Sequence, residues 1–201
     1  LNDGLMTGIF LDQHEVRDGL VNGLALGKSV LNMFSYTAAF SVAAAMGGAV
    51  ETTSVDLAKR SRELSTAHFE ANGFSMDNHR LVVMDVFDYF KYAKKKGLSY
   101  DLIVIDPPSF ARNKKRTFSA NKDYHKLIAQ SLDILSEHGT IIASTNAANM
   151  TVQQFKKQLR KGLGDVSADF VNLQQLPADF TVNPNDPTSN YLKVYTIKVN
   201  K

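Results

Sequence analysis

Residues 101–110 read Asp101-Leu102-Ile103-Val104-Ile105-Asp106-Pro107-Pro108-Ser109-Phe110. The run from Leu102 to Ile105 is apolar without alternation, as in a strand covered on both faces of a parallel sheet. It ends at an acid followed by two prolines. Those prolines fix the backbone just past the strand, so Asp106 and the neighbouring carbonyls are held rigidly at its carboxyl end.

The same unit recurs outward from this strand. Lys28 to Phe34 is an apolar run of strand length, and Thr37 to Met46 is a buried helix stopped by Gly47-Gly48. Thr52 to Val55 forms a strand ending at Asp56. Leu57 to Asn72 has helical spacing, with Lys59, Arg60, Arg62 and Glu63 on a wet face and Gly73 as its stop. Leu81 to Met84 is a strand ending at Asp85, followed by a helix from Phe87 to Lys96. Beyond the quoted run come a helix at Tyr124 to Leu135, a fifth strand at Thr140 to Ala143 and a helix at Val152 to Arg160. Two strand-like stretches, Phe170 to Leu173 and Tyr191 to Val199, close the chain.

Strand–helix alternation predicts a doubly wound α/β sheet, mostly parallel, with helices on both faces. The last two strands have only a Pro/Asn/Asp-rich loop between them and should run antiparallel. Residues 27–201 are expected to form the main domain. Residues 1–26 would be an extension of it, with a short strand at Gly8 to Leu11 and a helix at Glu15 to Leu26.

Composition narrows the function. The chain has 201 residues, 44% hydrophobic and 21% charged, which excludes disorder. No apolar run approaches the roughly 18 residues of a membrane span. No charged-then-apolar leader opens the sequence, and Leu1 in place of methionine suggests a piece of a longer protein. A net charge of +3 is a weak pointer to an anionic partner. There is no cysteine, hence no disulfide, no cysteine metal site and no thiol nucleophile. His14, His68, His79, His125 and His138 lack metal-ligand spacing and read as surface or helix residues, so no metal is expected.

Each core strand ends in polar residues: Ser35-Tyr36-Thr37, Asp56, Asp85, Asp106, and Ser144-Thr145-Asn146. In open α/β sheets that rim is the ligand side. A lone acid there often just caps the next helix. Three on successive strands point to a site, and Asp56 sits where a carboxylate accepts both hydroxyls of a ribose. A dinucleotide would need glycines in the first turn to admit its pyrophosphate. Phe34-Ser35-Tyr36-Thr37-Ala38-Ala39-Phe40 has none, so a nicotinamide dehydrogenase is disfavoured and a phosphate-free adenosyl cofactor is favoured.

The set GIFLDQHEVR (8–17), VLNMFSYTAAFSVAAAMGGA (30–49), DPPSF (106–110) and YLKVYTIKV (191–199) resembles the class I S-adenosylmethionine-dependent large-subunit rRNA methyltransferases. The resemblance covers nearly the whole chain in order. It implies a Rossmann-like methyltransferase domain, normally preceded by an RNA-binding PUA domain that would be absent here. It implies that Phe34, Ser35, Tyr36 and Thr37 line the methionine end of S-adenosylmethionine and that Asp56 holds the ribose. Asp85 and Val86 would meet the adenine, and Asp106 with Pro107 would face the methyl group. Asp12, Gln13 and Arg17 match a family motif near the cofactor. The family commonly has glycines at Ala38-Ala39, and two extra methyl groups there could narrow the pocket.

Relatives that methylate cytosine carbon 5 use a cysteine just after the fifth strand to activate the ring. Here that segment is Ala143-Ser144-Thr145-Asn146-Ala147, so nitrogen methylation of an rRNA base, guanine first, is expected. Asp106, Pro107, Pro108, Phe110 and Asn146 are the residues expected to hold the base, Phe110 by stacking. Lys114, Lys115 and Arg116, in the loop after DPPSF, would meet RNA phosphates. The clusters Lys94–Lys96 and Lys156, Lys157, Arg160, Lys161 read as solvated helix faces. Expected partners are rRNA or the large ribosomal subunit in the cytoplasm, with no membrane and a homodimer compatible with the sequence. A cytosine-5 relative, a small-molecule methyltransferase and a non-catalytic RNA-binding module that keeps the fold are the alternatives.

Overall fold

A computed structural model of the chain describes residues 8–112 and 117–201. Its strands are β1 Ser29–Met33, β2 Glu51–Asp56, β3 His79–Val83, β4 Tyr100–Ile105, β5 Phe110–Arg112, β6 Thr117–Ser119, β7 Leu135–Thr145, β8 Ser167–Gln174 and β9 Lys193–Asn200. The helices are α1 His14–Gly19, α2 Ala39–Met46, α3 Lys59–Ala71, α4 Val86–Lys96, α5 Ala120–Leu132 and α6 Val152–Leu163. Seven strands form one sheet in the order β3-β2-β1-β4-β7-β9-β8. Pairing from β3 through β7 is parallel, and β9 runs antiparallel to both β7 and β8. The chain reverses its direction of travel across the sheet between β1 and β4, which opens a crevice at their carboxyl ends.

The central strands are buried on both faces, and the pleat sends successive side chains to opposite layers. Leu31, Met33, Ile103, Ile105, Ile141 and Ala143 join the layer that includes Tyr89, Tyr124, Leu127 and Phe155. Val30, Leu102, Val104 and Ile142 face the layer of Val16, Leu20, Phe40 and Ala43. The small residues of α2 let it lie close to its neighbours. A Cβ at Gly47, just past its end, would fall 2.0 Å from the Leu20 carbonyl oxygen, so that position admits no side chain. α6 begins with a capping box in which Thr151 and Gln154 exchange hydrogen bonds.

Several expectations shift. Gly8 to Leu11 is not a strand: Leu11–Gln13 is a 3-10 turn, and the Gly8 carbonyl accepts the Thr37 hydroxyl at 2.7 Å instead of a ladder bond. The helix expected at Glu15 to Leu26 ends its α-helical part at Gly19. It passes through a π-type turn, Leu20–Leu24, where Gly23 sits at φ +110°. Glycine both weakens a helix interior and permits that angle. The fifth strand, β7, starts five residues before Thr140 and includes His138 at φ +56°. The last strand begins at Lys193 rather than Tyr191. The short antiparallel pair β5 and β6 was not anticipated. Its connection, with Lys114, Lys115 and Arg116, lies outside the described residues.

His79 is also not a surface residue. It is buried, stacked on Phe69 at 4.5 Å between ring centroids, and bonded to the Thr52 hydroxyl at 2.9 Å. Burial lowers its pKa. Part of the α6 cluster is likewise committed to packing. Lys156 Nζ stands 4.9 Å from the centroid of the Phe170 ring, and Arg160 lies over the same ring.

Candidate active site

The strand tips at the crevice surround a cavity of about 820 Å³. Its wall includes every described residue expected from the sequence: Gln13, Arg17, Phe34, Ser35, Tyr36, Thr37, Asp56, Asp85, Val86, Asp106, Pro107, Pro108, Phe110 and Asn146. These residues are scattered over 134 positions of sequence (Gln13 to Asn146) and meet only because parallel strands all present the same end to one rim.

The first turn explains how a glycine-free sequence makes room there. Phe34, Tyr36 and Ala38 have φ of +61°, +47° and +60°, all left-handed. Such angles are disfavoured for residues with a Cβ and persist only where surroundings impose them. Here the Ser35 amide donates to the Val55 carbonyl and the Ala38 amide to the Ser35 carbonyl. The Tyr36 amide donates to Asp56 Oδ2 at 2.9 Å, while Ser65 Oγ and His68 bond to the carbonyls of Tyr36 and Thr37. Ala38 is fully buried and Ala39 opens α2 with ordinary helical geometry. The alanine methyls therefore do not abolish the bend that glycines would favour.

Asp56 closes β2 half-exposed. Each carboxylate oxygen takes one backbone amide, Oδ2 that of Tyr36 and Oδ1 that of Ala58 at 2.8 Å. A carboxylate has about four lone-pair sites, so each oxygen can still accept a hydroxyl. Asp85 caps α4, its Oδ1 accepting the amides of Phe87 and Asp88. The helix-capping reading of a strand-end acid holds for this residue, although it also borders the cavity.

Asp106, just past β4, is gripped from both sides. Gln13 Nε2 donates to Oδ2 at 2.9 Å, and the Ser144 hydroxyl donates to Oδ1. Burial pushes the Asp106 carboxyl above the usual carboxylate range, and nearby Asp12 adds to the rise. The bonds from Ser144 and Gln13 and the charge of Arg17 oppose it. Behind it, the Tyr124 hydroxyl bonds to the carbonyls of Ile105 and Ser144 at 2.9 and 2.8 Å, tying the tips of β4 and β7 together. Ser109 Oγ donates to Asn146 Oδ1 at 2.6 Å, so the Pro107-Pro108 turn and the loop after β7 form one wall. Arg17 is a half-buried wall residue donating to the Phe10 carbonyl at 2.8 Å, not a solvated helix residue.

Ser144, Tyr191 and Phe118 were not singled out by the sequence. Ser144 was visible only as one hydroxyl in a polar strand end. Tyr191, whose hydroxyl donates to Asp12 Oδ2 at 3.0 Å, reaches the site from the other end of the chain. Phe118 comes from the unanticipated hairpin and contacts the rings of Phe34 and Phe87.

The donor set suits an adenosyl cofactor. Asp56 offers acceptors for a diol, and Leu57, Val86 and Phe87 offer an apolar slot for a purine. The buried Asp12 Oδ1 and Gln13 Oε1 have no hydrogen-bond partner among the described residues, which an amino donor would remedy. The cavity volume falls in the upper part of the roughly 300–1,000 Å³ range of small-molecule sites, enough for a second planar group beside the first. Among the described residues no cluster of three or more His, Asp or Glu could hold a metal ion.

Comparison with known proteins agrees with this geometry. A family model described as S-adenosylmethionine-dependent methyltransferase matches residues 1–193. YwbD of Bacillus subtilis is 48% identical over 200 residues, covering 98% of this chain and 50% of YwbD. The ribosomal RNA large subunit methyltransferase K of Neisseria meningitidis is 36% identical over 182 residues, covering 90% of this chain and 49% of the relative. The chain thus spans about half the length of these curated relatives. The crystal structure of SMU.776 complexed with SAH superposes with a TM-score of 0.96 at 73% identity, over 99% of this chain and 52% of that one. On the match of fold, rim and family model alike, the chain belongs to the S-adenosylmethionine-dependent methyltransferase family.

Proposed function

We propose that this chain is the catalytic domain of a cytoplasmic methyltransferase that acts on a nitrogen of a guanine base in large-subunit rRNA. The observation that carries the reading is the doubly held Asp106 at the cavity wall, in a chain with no cysteine. The rRNA substrate is supported by the Neisseria relative, whose name specifies a large-subunit rRNA methyltransferase. When bound, S-adenosylmethionine supplies a methyl group made electrophilic by its sulfonium sulfur.

The chain's own residues do the rest. Asp56 accepts the ribose hydroxyls, Val86 and Asp85 border the adenine, and the bent turn from Phe34 to Thr37 holds the methionine end with Gln13 and Arg17. A target base leaves its stack at a cost of a few kcal/mol, recovered in part by phosphate contacts from Lys114, Lys115 and Arg116. Phe110 is 61% exposed at the rim, where a base can stack on it. Asp106 and the Pro107 carbonyl orient an N–H of the base, and the unprotonated Asp106 carboxylate, its proton affinity raised by burial, takes the proton that methylation of that same nitrogen releases. Pro108 keeps that turn rigid, and Asn146, fixed through Ser109, borders the base.

A cytosine carbon 5 target lacks its thiolate: Ser144 and Thr145 stand in the relevant segment, and the Ser144 hydroxyl is already committed to Asp106. The test is transfer of labelled methyl groups to rRNA with mass spectrometry of its nucleosides. A methylated guanine missing from a deletion strain is the expected result, and a missing 5-methylcytosine would overturn the nitrogen assignment. SAH binding without transfer would favour the non-catalytic module.

A further inference from the structure

Lys193 opens β9 opposite Thr145 of β7 and is only 4% exposed. A buried ammonium is costly unless acids or several acceptors compensate it. Among the described residues no ion pair involves Lys193. Its Nζ instead donates to two main-chain carbonyls, Ala147 O at 2.9 Å and Tyr191 O at 2.8 Å. Burial lowers its pKa, and a methionine or leucine would occupy the space without that penalty.

The two carbonyls identify what the lysine holds. Ala147 lies in the loop just past the end of β7, where Ser144, still in the strand, donates to Asp106 Oδ1 and Asn146, the first loop residue, accepts from Ser109. Tyr191 is the residue whose hydroxyl fixes Asp12, and the next residue, Gln13, donates to Asp106 Oδ2. One ammonium therefore joins the backbones of the two arms that grip the two oxygens of Asp106, from segments more than forty positions apart (Ala147 and Tyr191).

We infer that Lys193 is a positioning residue of the active site, its ammonium clamping the loop after β7 to the start of β9 so that Asp106 and Asn146 keep their separation. It is not among the residues that line the cavity. The inference rests on the functional reading above only for its kinetic part.

The absence of cysteine from this sequence makes the test clean. Lys193→Cys protein is alkylated in urea and refolded, with wild type carried through the same steps. Aminoethylation rebuilds a lysine-like ammonium, whereas propylation rebuilds the volume without a donor. Each form is assayed for SAH affinity by calorimetry, for methyl transfer to rRNA, and for hydrogen exchange of the backbone amides 144–150. The propyl form should bind SAH as wild type does, lose about 10- to 100-fold in kcat and exchange faster in that loop. The aminoethyl form should regain both properties. Recovery with the propyl group, or none with the aminoethyl group, overturns the assignment. Should the wild type bind SAH but methylate no rRNA, the substrate reading fails, and the exchange comparison alone still decides the role of Lys193.

Discussion

Asp56 and Asp106 occupy matching places on two parallel strands, and the fold treats them in opposite ways. Asp56 lines the cavity, commits one bond per oxygen to the backbone and keeps lone-pair capacity for further donors. Asp106 is bound on both oxygens by side chains from distant segments and is desolvated enough that its carboxyl is pushed up. The first can still accept further donors, the second is held still, and the proposed function assigns the proton transfer to the second. The same residue type at the same strand end thus acquires its role from what packs around it.

That contrast breaks most sharply by mutation. Asp106→Asn should lower methyl transfer about 10²- to 10⁴-fold in single-turnover assays while leaving SAH affinity near wild type. Asp56→Ala should do the reverse, weakening SAH by about 10- to 100-fold in calorimetry with a much smaller loss of rate at saturating cofactor. An equal loss of both quantities in either variant would erase the distinction. Charge reversal at Lys114, Lys115 and Arg116 should weaken RNA binding and flatten its salt dependence without changing SAH affinity, read by filter binding across a salt series.

A smaller effect separates the acids by pH. The carboxyl of Asp106 is raised in the fold, so between the ordinary carboxylate pKa and the raised one the native state holds a proton that the unfolded chain has lost. Stability contributed by this group is therefore present at low pH and falls as pH rises through that window. Thermal melts of Asp106→Asn should lack this part of the slope, and those of Asp56→Asn should retain it. The smallest expected change lies in the first turn on the Asp56 side. Ala38→Gly relieves a left-handed alanine, worth about 1–2 kcal/mol, but removes a buried methyl worth about 0.8 kcal/mol. Urea denaturation should show a net shift below about 1.5 kcal/mol, with SAH affinity unchanged.

Most of the sheet was legible because short runs of apolar or β-branched residues, each closed by Asp106, Asp56 or Asp85, read as strands, and parallel pairing sends those ends to one side. The places where expectation failed are short, or governed by contacts distant in sequence. Gly8 to Leu11 has apolar residues but pairs with no strand among the described residues. The β5–β6 pair is three residues per strand, too brief to carry a period. His79 looked polar and surface-bound, yet stacking on Phe69 and a bond to Thr52 compensate its burial.

The amino-acid order alone determined the α/β alternation, the polar rim, the exclusion of a dinucleotide and the want of a thiol nucleophile, since each follows from local residue type and spacing. Tertiary structure decided which acid caps a helix, which is left open and which is clamped. It also brought Gln13, Ser144, Tyr191 and Lys193 around one carboxyl group. Hydrogen bonding and desolvation depend on distances between segments that lie far apart along the chain, and no local pattern encodes those distances.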